Sequence, residues 1–376
     1  MDGGIQVIPV QSSRHLKQFI TLPWVIYRDD PLWVPPLLYD LRQTLSPCGN
    51  PLFRASPKHR LFLAYKHGVP AGRICAGIND KANKLRGTNQ GYICMFECTH
   101  DYSVARALFD SALDYLVELG ADSVQGPISP TNGDESRGVL IQGYDTPPVL
   151  FQAYNPSYYR EFFERYGFVK DFDYLAYRST LESVRDRTKA VAYAMKRYGF
   201  RTDPLDLSRL EKELADIKQI LDKSIPEDWP DLVPPEMEDL LEMGKKLRGL
   251  AVPDLVRIAR KDALPIGVSA ALPDYNQVLK MMNGRLFPTG WLTFYRMKNR
   301  IDGVCMFILF VIPEFQKKGV AYALYHDTLE AARRLGYAWG EGSTVADFNQ
   351  TMRREAASFG GVHYKTFRVY RKSLTS

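Results

Sequence analysis

The chain is poor in cysteine: Cys48, Cys75, Cys94, Cys98 and Cys305 are the five in 376 residues. An odd number spread over so long a chain argues against a disulfide framework and reads as reduced, small apolar residues of a cytoplasmic protein. Long apolar runs are missing as well. The longest, 304–313, stops at about ten residues, half of the ~20 that a spanning helix needs. The start, Met1-Asp2-Gly3-Gly4, lacks the basic and apolar segments of a secretory leader. The six histidines show no paired ligand spacing, so no metal site is expected. Cys-x-x-Cys, a nucleophile elbow, a Walker loop and a zinc-protease helix are all absent. Charge of one sign is scarce: the net value is +6. Much of it lies in 352–376, with six basic residues and one acidic. Such a stretch can meet nucleic acid, an anionic membrane or a phosphorylated ligand.

What is present is an ordinary globular composition, 45% hydrophobic and 24% charged, long enough for two domains. The chain repeats itself. Leu63-Ala64-Tyr65-Lys66-His67-Gly68-Val69-Pro70-Ala71-Gly72 matches Ile258-Ala259-Arg260-Lys261-Asp262-Ala263-Leu264-Pro265-Ile266-Gly267 as strand, turn, strand. Cys94-Met95-Phe96 recurs as Cys305-Met306-Phe307, each followed by an amphipathic helix that ends in Leu-Gly. Gly167 and Gly360 each precede a Tyr-Arg pair. The pattern gives an α+β chain with a mixed sheet and two halves, 1–182 and 183–376, joined through a helix at 187–198. The halves differ in their loops, where function usually resides.

In the second half, Gln316-Lys317-Lys318-Gly319-Val320-Ala321 joins a buried strand at 304–312 to a helix at 320–335. Backbone N–H groups opening at a helix N-terminus bind anions, and Gly319 allows close approach. Segment 311–321 resembles the acyl-CoA signature of the GCN5-related N-acetyltransferase (GNAT) superfamily, and 349–361 resembles its last helix and turn. The resemblance covers both halves and implies two tandem GNAT-like folds, the first degenerate. It implies acetyl-CoA or a longer acyl-CoA as donor. The Val311 N–H would polarise the thioester carbonyl. Val311, Ile312 and Pro313 would line the pantetheine, the amides of Gln316 to Ala321 would cradle the pyrophosphate, and Asn349 would bond the pantetheine. Two features depart from the family pattern. Ala356 stands where the general-acid Tyr is usual, and no carboxylate interrupts 305–312. Tyr364 and His363 are the reachable substitutes for proton transfer.

The first half lacks the cradle: 98–103 holds no glycine and adds Asp101. It carries instead a Gly-, Pro-, Asn- and Tyr-rich segment over 126–159. There Asp134 and Glu135 are expected to hold an amine, with Tyr154 and Tyr158 as a wall; a structural seal between the halves is the alternative. The second half gains an insertion containing Met282, Phe287 and Trp291, read either as an apolar substrate pocket or as a helical cover. The function expected is N-acyl transfer from acyl-CoA to a small-molecule or peptide amine. The alternatives are an acyl carrier protein or aminoacyl-tRNA donor, or a module that binds acyl-CoA without turnover. Nucleic acid is disfavoured, because CoA explains the loop directly, but the basic C-terminal stretch keeps it open.

Overall fold

The computed structural model describes residues 4–45, 54–130, 137–184 and 186–375. The first half runs β1 (Ile5–Pro9), α1 (Ser13–Thr21), α2 (Pro23–Ile26), α3 (Leu38–Leu45), β2 (His59–Lys66), β3 (Val69–Ile78), α4 (Asp80–Arg86) and β4 (Gln90–Cys98). It continues through α5 (Tyr102–Glu118), β5 (Ser123–Gly126), β6 (Val139–Gln142), α6 (Tyr158–Tyr166) and β7 (Val169–Thr180). After the joining helix α7 (Thr188–Tyr198) come β8 (Arg201–Pro204), α8 (Leu210–Ser224), α9 (Met237–Leu247), β9 (Val256–Lys261) and β10 (Leu264–Pro273). Then follow α10 (Asn276–Met282), α11 (Gly290–Met297), β11 (Gly303–Val311), α12 (Val320–Arg334), β12 (Trp339–Ala346), α13 (Gln350–Ser358) and β13 (Val362–Ser373). The helical stretch from Ser13 to Ile26 breaks into α1 and α2 at Pro23, whose ring nitrogen cannot donate to the turn before it.

All strands form a single mixed sheet, in the order β1-β2-β3-β4-β5-β13-β7-β12-β11-β10-β9-β8, with β6 against β13. The centre of this order crosses the boundary between the halves. The last strand of the second half, β13, pairs with β5 of the first (Tyr370 opposite Gly126). The last strand of the first half, β7, pairs with β12 of the second (Gly340 opposite Ser179). The two also pair with each other along most of their length. Each half therefore lends its final strand to the other, and the core at the junction mixes both, with Phe172, Tyr174, Phe367 and Val369 packed together. The basic stretch 352–376 is consequently no free tail. Lys365 is fully buried, and Arg368 makes a two-pronged bond to Asp173 at 2.9 and 3.1 Å.

In both halves a parallel pair opens into a V. β11 and β12 are paired only from Gly303/Trp339 to Met306/Gly342 and then part. β4 and β5 are paired only from Gln90/Ser123 to Tyr92/Gln125. A bulge in β11 between the partners of Ala270 and Ala271 leaves Phe307 as the extra residue and bends the strand away from β12.

Candidate active site

The open V of the second half is lined on one side by backbone. Antiparallel pairing turns alternate amides toward the neighbouring strand. Gly267 stands opposite Val311 in a wide pair, since Ile312 N–H donates to Ile266 O at 3.0 Å. The N–H groups of Val311 and, two residues earlier, Leu309 therefore face away from β10, into the V. Among the described residues no side chain takes the Val311 N–H, while its carbonyl accepts from Gln316 Nε2 at 3.2 Å. Beyond it Pro313–Phe315 forms a single tight turn and the chain enters α12. Lys317 and Gly319 both have positive φ, 60° and 79°, which turns the loop's amides into a concavity at the helix start. A Cβ at Gly319 would lie 2.9 Å from the Cβ of Ala194 on α7, so the joining helix forms the floor of this loop. Lys318 Nζ sits 4.8 Å over the Phe315 ring. Val320 is buried in the core and Ala321 packs against its edge. These groups fit a pyrophosphate and a pantetheine arm: amides and lysines for the first, an open strand edge for the second. Asn349 caps α13, its Oδ1 accepting from Met352 N at 3.1 Å, which leaves its NH2 as the group it can offer.

At the closed end of the V lies a buried polar cluster. Glu341, on β12, is 3% exposed. Its Oε1 accepts from Gln152 Nε2 and from Ser343 Oγ, both at 2.5 Å. Its Oε2 is buried without a partner among the described residues. Gln152 Nε2 also lies 3.2 Å from the Tyr364 hydroxyl, which accepts from it and whose own hydrogen bond favours the ionised Glu341. Lys365 Nζ donates to the carbonyls of Thr146 (3.0 Å) and Pro147 (2.8 Å) and reaches Gln152 Oε1 at 3.4 Å. Burial disfavours both charges. It pushes the Glu341 carboxyl up to about 7, against the opposing pull of Ser343 and Lys365. It brings the Lys365 ammonium down to about 8 and holds Tyr364 well above the usual phenol range. A carboxyl near neutrality with one bare oxygen is suited to take a proton at physiological pH.

The first half builds part of this wall. Phe151 has a left-handed backbone, φ 68°, in a segment held by Leu150 N–H donating to Asp274 Oδ1 at 2.9 Å. That conformation sets the Phe151 ring 5.2 Å from Phe307 at the bulge and delivers Gln152 to Glu341. Asp274 is itself buried and pushed up to about 6.

The corresponding V of the first half is closed. Gly72 stands opposite Cys98 in the same wide pair, with Thr99 N–H donating to Ala71 O. Cys98 thus matches Val311. Its N–H is taken by the Tyr159 hydroxyl at 2.7 Å, and its carbonyl by the Tyr158 hydroxyl at 2.8 Å. Tyr159 and Tyr27 also donate to Glu97, at 2.8 and 2.7 Å. At the helix start, Asp101 caps α5 through Ser103 N–H and pairs with Lys66, which hold its carboxyl down to about 2. A protein carboxylate occupies the place of an anion.

The described residues among those expected to hold the substrate make separate contacts. Asp134 and Glu135 lie outside the described residues. Tyr158 serves the closed V and stacks on His100 at 4.3 Å. Tyr154 donates to Asp30 Oδ2 at 2.7 Å. Met282 is buried with Tyr275, Val278 and Ile301, whereas Phe287 and Trp291 are exposed. Tyr364 is at the cluster; His363 is on the exposed edge, its Nε2 2.9 Å from Lys365 O. Glu341, Gln152, Ser343 and Lys365 were missed. Glu341 ends the short stretch Ala338-Trp339-Gly340-Glu341, which reads as a strand end, and nothing in a single sequence brings Gln152 to it. Among the described residues no group of acidic, His and Cys side chains has the makings of a metal site.

No family model matches the chain. It is 30% identical to the bacterial ceramide synthase of Caulobacter vibrioides over 99% of this chain and 98% of that protein. It is 29% identical to protein YghO of Escherichia coli over 96% of this chain and 94% of the other. Among solved structures, a tandem GNAT protein from the clavulanic acid biosynthesis pathway superposes with a TM-score of 0.57 at 13% identity, covering 99% of both chains. The chain has the fold of tandem GNAT proteins and belongs to the family of the bacterial ceramide synthase of Caulobacter vibrioides.

Proposed function

We propose that the second half transfers an acyl group from acyl-CoA to the primary amine of a long-chain amino lipid. The tandem GNAT fold and a relative named as a ceramide synthase support the general class, an N-acyltransferase. The relative's name supports the acceptor, since a ceramide is an N-acylated long-chain amino alcohol. The observation that carries the reading is the buried Glu341 carboxyl with its unpartnered oxygen at the closed end of the V. It supplies the carboxylate that 305–312 lacks and favours turnover over a module that only binds.

Bound acyl-CoA supplies an activated thioester carbonyl and a thiolate leaving group. The loop amides of Gln316 to Ala321, with Lys317 and Lys318, hold its pyrophosphate. Ile312 and Pro313 flank the pantetheine arm, which Asn349 bonds through its NH2. The N–H groups of Leu309 and Val311 stabilise negative charge developing on the carbonyl oxygen; one such donor contributes about 3 kcal/mol in enzymes that use it. Glu341 Oε2 takes a proton from the bound ammonium, freeing the amine lone pair to attack the carbonyl carbon, and Tyr364 gives its hydrogen to the sulfur as the C–S bond breaks. Gln152 orients both. Lys365 keeps part of the Glu341 population ionised.

The test is to incubate the purified chain with acyl-CoA of graded length and a panel of amines, following free thiol and amide mass. Amide with a long-chain amino alcohol and equimolar thiol supports the reading. Thioester hydrolysis without amide, for every amine, contradicts it.

A further inference from the structure

The insertion between β10 and β11 carries a surface to which the proposed acyl transfer assigns no role. Of the six exposed aromatic residues among those described, three lie here: Phe287 (73% exposed), Tyr295 (69%) and Trp291 (52%), with Met281 (50%) beside them in sequence. Trp291 and Tyr295 are one turn apart on α11, hence on one face. The Trp291 indole N–H is satisfied internally by Pro288 O at 2.9 Å, so its ring is presented with no polar demand of its own. Exposed aromatics grouped in this way mark an interaction site more often than scattered ones do.

The charge within the insertion has one sign. From Tyr275 to Ile301 there are five cationic residues, Lys280, Arg285, Arg296, Lys298 and Arg300, and no acidic one. Among the described residues none of the five forms an ion pair with a carboxylate; Lys280 instead bonds the carbonyl of Pro31, and Lys298 lies over the Tyr295 ring at 5.4 Å. Of the acids that bracket the segment, Asp274 is buried on Leu150 N–H, while Asp302 is exposed and accepts from Trp339 Nε1 and Gln277 Nε2, both at 2.9 Å. The rest of the insertion is anchored. Val278 and Met282 are core, Trp24 Nε1 donates to Asn283 Oδ1 at 3.1 Å, and Leu38 N–H donates to Gly284 O at 2.9 Å. The patch is therefore a fixed face on a rigid base.

Aromatic rings interleaved with Lys and Arg, without acids, match the interface of an anionic bilayer. The rings enter the headgroup layer and the cations meet lipid phosphates. A protein partner chosen by charge alone would not call for three exposed rings. We propose that the α10–α11 insertion docks the protein reversibly on an anionic membrane surface, without spanning it. The insertion is tied at its root to the loop that delivers Gln152, through Leu150 with Asp274 and through Asn276 Nδ2 donating to Pro148 O at 3.0 Å. Docking would thus hold the candidate site near the bilayer. The inference stands on this surface alone and can fail while acyl transfer holds.

The experiment is sedimentation of the full chain with phosphatidylcholine vesicles containing or lacking phosphatidylglycerol. The wild type is expected to bind the anionic vesicles at least ~10-fold more tightly than neutral ones, with the difference reduced at high salt. Phe287→Ser, Trp291→Ser and Tyr295→Ser together should lower that affinity ~10-fold or more while leaving the thermal transition unchanged, because the three are exposed. Lipids brominated in the acyl chain should quench the wild type, and less of the fluorescence in Trp291→Phe. Wild type that ignores anionic vesicles, or a triple variant that binds them as well as wild type, overturns the proposal. So does a concentration-dependent dimer that the triple variant abolishes without any vesicle binding, which would give the face to a second copy.

Discussion

Replacing Glu341 by Gln separates a catalytic carboxylate from a structural one, because the two roles move activity and stability in opposite directions. Burial raises this carboxyl from 4.5 to about 7. At 1.36 kcal/mol per unit, ionising it in the fold rather than in the unfolded chain costs about 3 kcal/mol. Because the folded value is the higher one, the native state binds the extra proton between about 4.5 and 7. Its contribution to stability is full below that window and lost as pH rises through it. The amide keeps the two bonds at Oε1, and its NH2 takes the place of the unpartnered Oε2. Leaving that NH2 unsatisfied costs about 1–2 kcal/mol. Glu341→Gln should therefore gain about 1–2 kcal/mol of stability at pH 8, seen as a higher denaturant midpoint, and lose up to about 1 kcal/mol at pH 5, where the wild type keeps most of its proton-linked stability. Its kcat/KM should fall ~10²–10⁴-fold. The wild-type pH profile should rise through an apparent pKa of about 7, and that limb should vanish in the variant. A variant that is less stable at pH 8, or that keeps the limb, would refute the reasoning.

Lys365→Met removes a cation that favours the ionised Glu341, so the acid limb of kcat/KM should move to higher pH; a shift downward or none contradicts the assigned coupling. Calorimetric titration with CoA should give one site per chain, and Gly319→Asp should abolish binding, since its side chain meets Ala194 and its charge meets the pyrophosphate. Tyr159→Phe should cost about 1–3 kcal/mol of stability by leaving the Cys98 amide and Glu97 underbonded, with CoA stoichiometry unchanged. Residues 183–376 alone should show no cooperative thermal transition like the full chain's, because β12 then lacks β7 and β13 lacks β5.

Much of the architecture is legible in the sequence because each repeat is punctuated locally. Gly120, Gly167, Gly336 and Gly360 all have positive φ where helices end, which is why they recur at matching places. The signature loop is legible for the same reason. The exchange of β7 and β13 is not. Both strands are long and both carry a central run buried on successive residues, so their pattern marks a central strand without saying which neighbours it takes, and only the register of the assembled sheet decides. Lys365 reads as a surface lysine in the basic C-terminal stretch and is fully buried, because carbonyls of a distant loop solvate its ammonium. Glu341 escaped notice because its environment comes from Gln152 on the first half and Tyr364 on the exchanged strand. Tyr158 was legible as part of a wall, but together with Tyr159 it closes the first V.

The central claim is that acyl-CoA and amine meet in the V between β11 and β12, beside Glu341. A crystal structure of the full chain with CoA and a long-chain amine tests it most directly. The account predicts the pyrophosphate on the amides of Gln316 to Ala321, the pantetheine along Leu309 to Val311, and the amine within hydrogen-bonding distance of Glu341 Oε2. CoA bound in the first half, or an amine held far from Glu341, would contradict it.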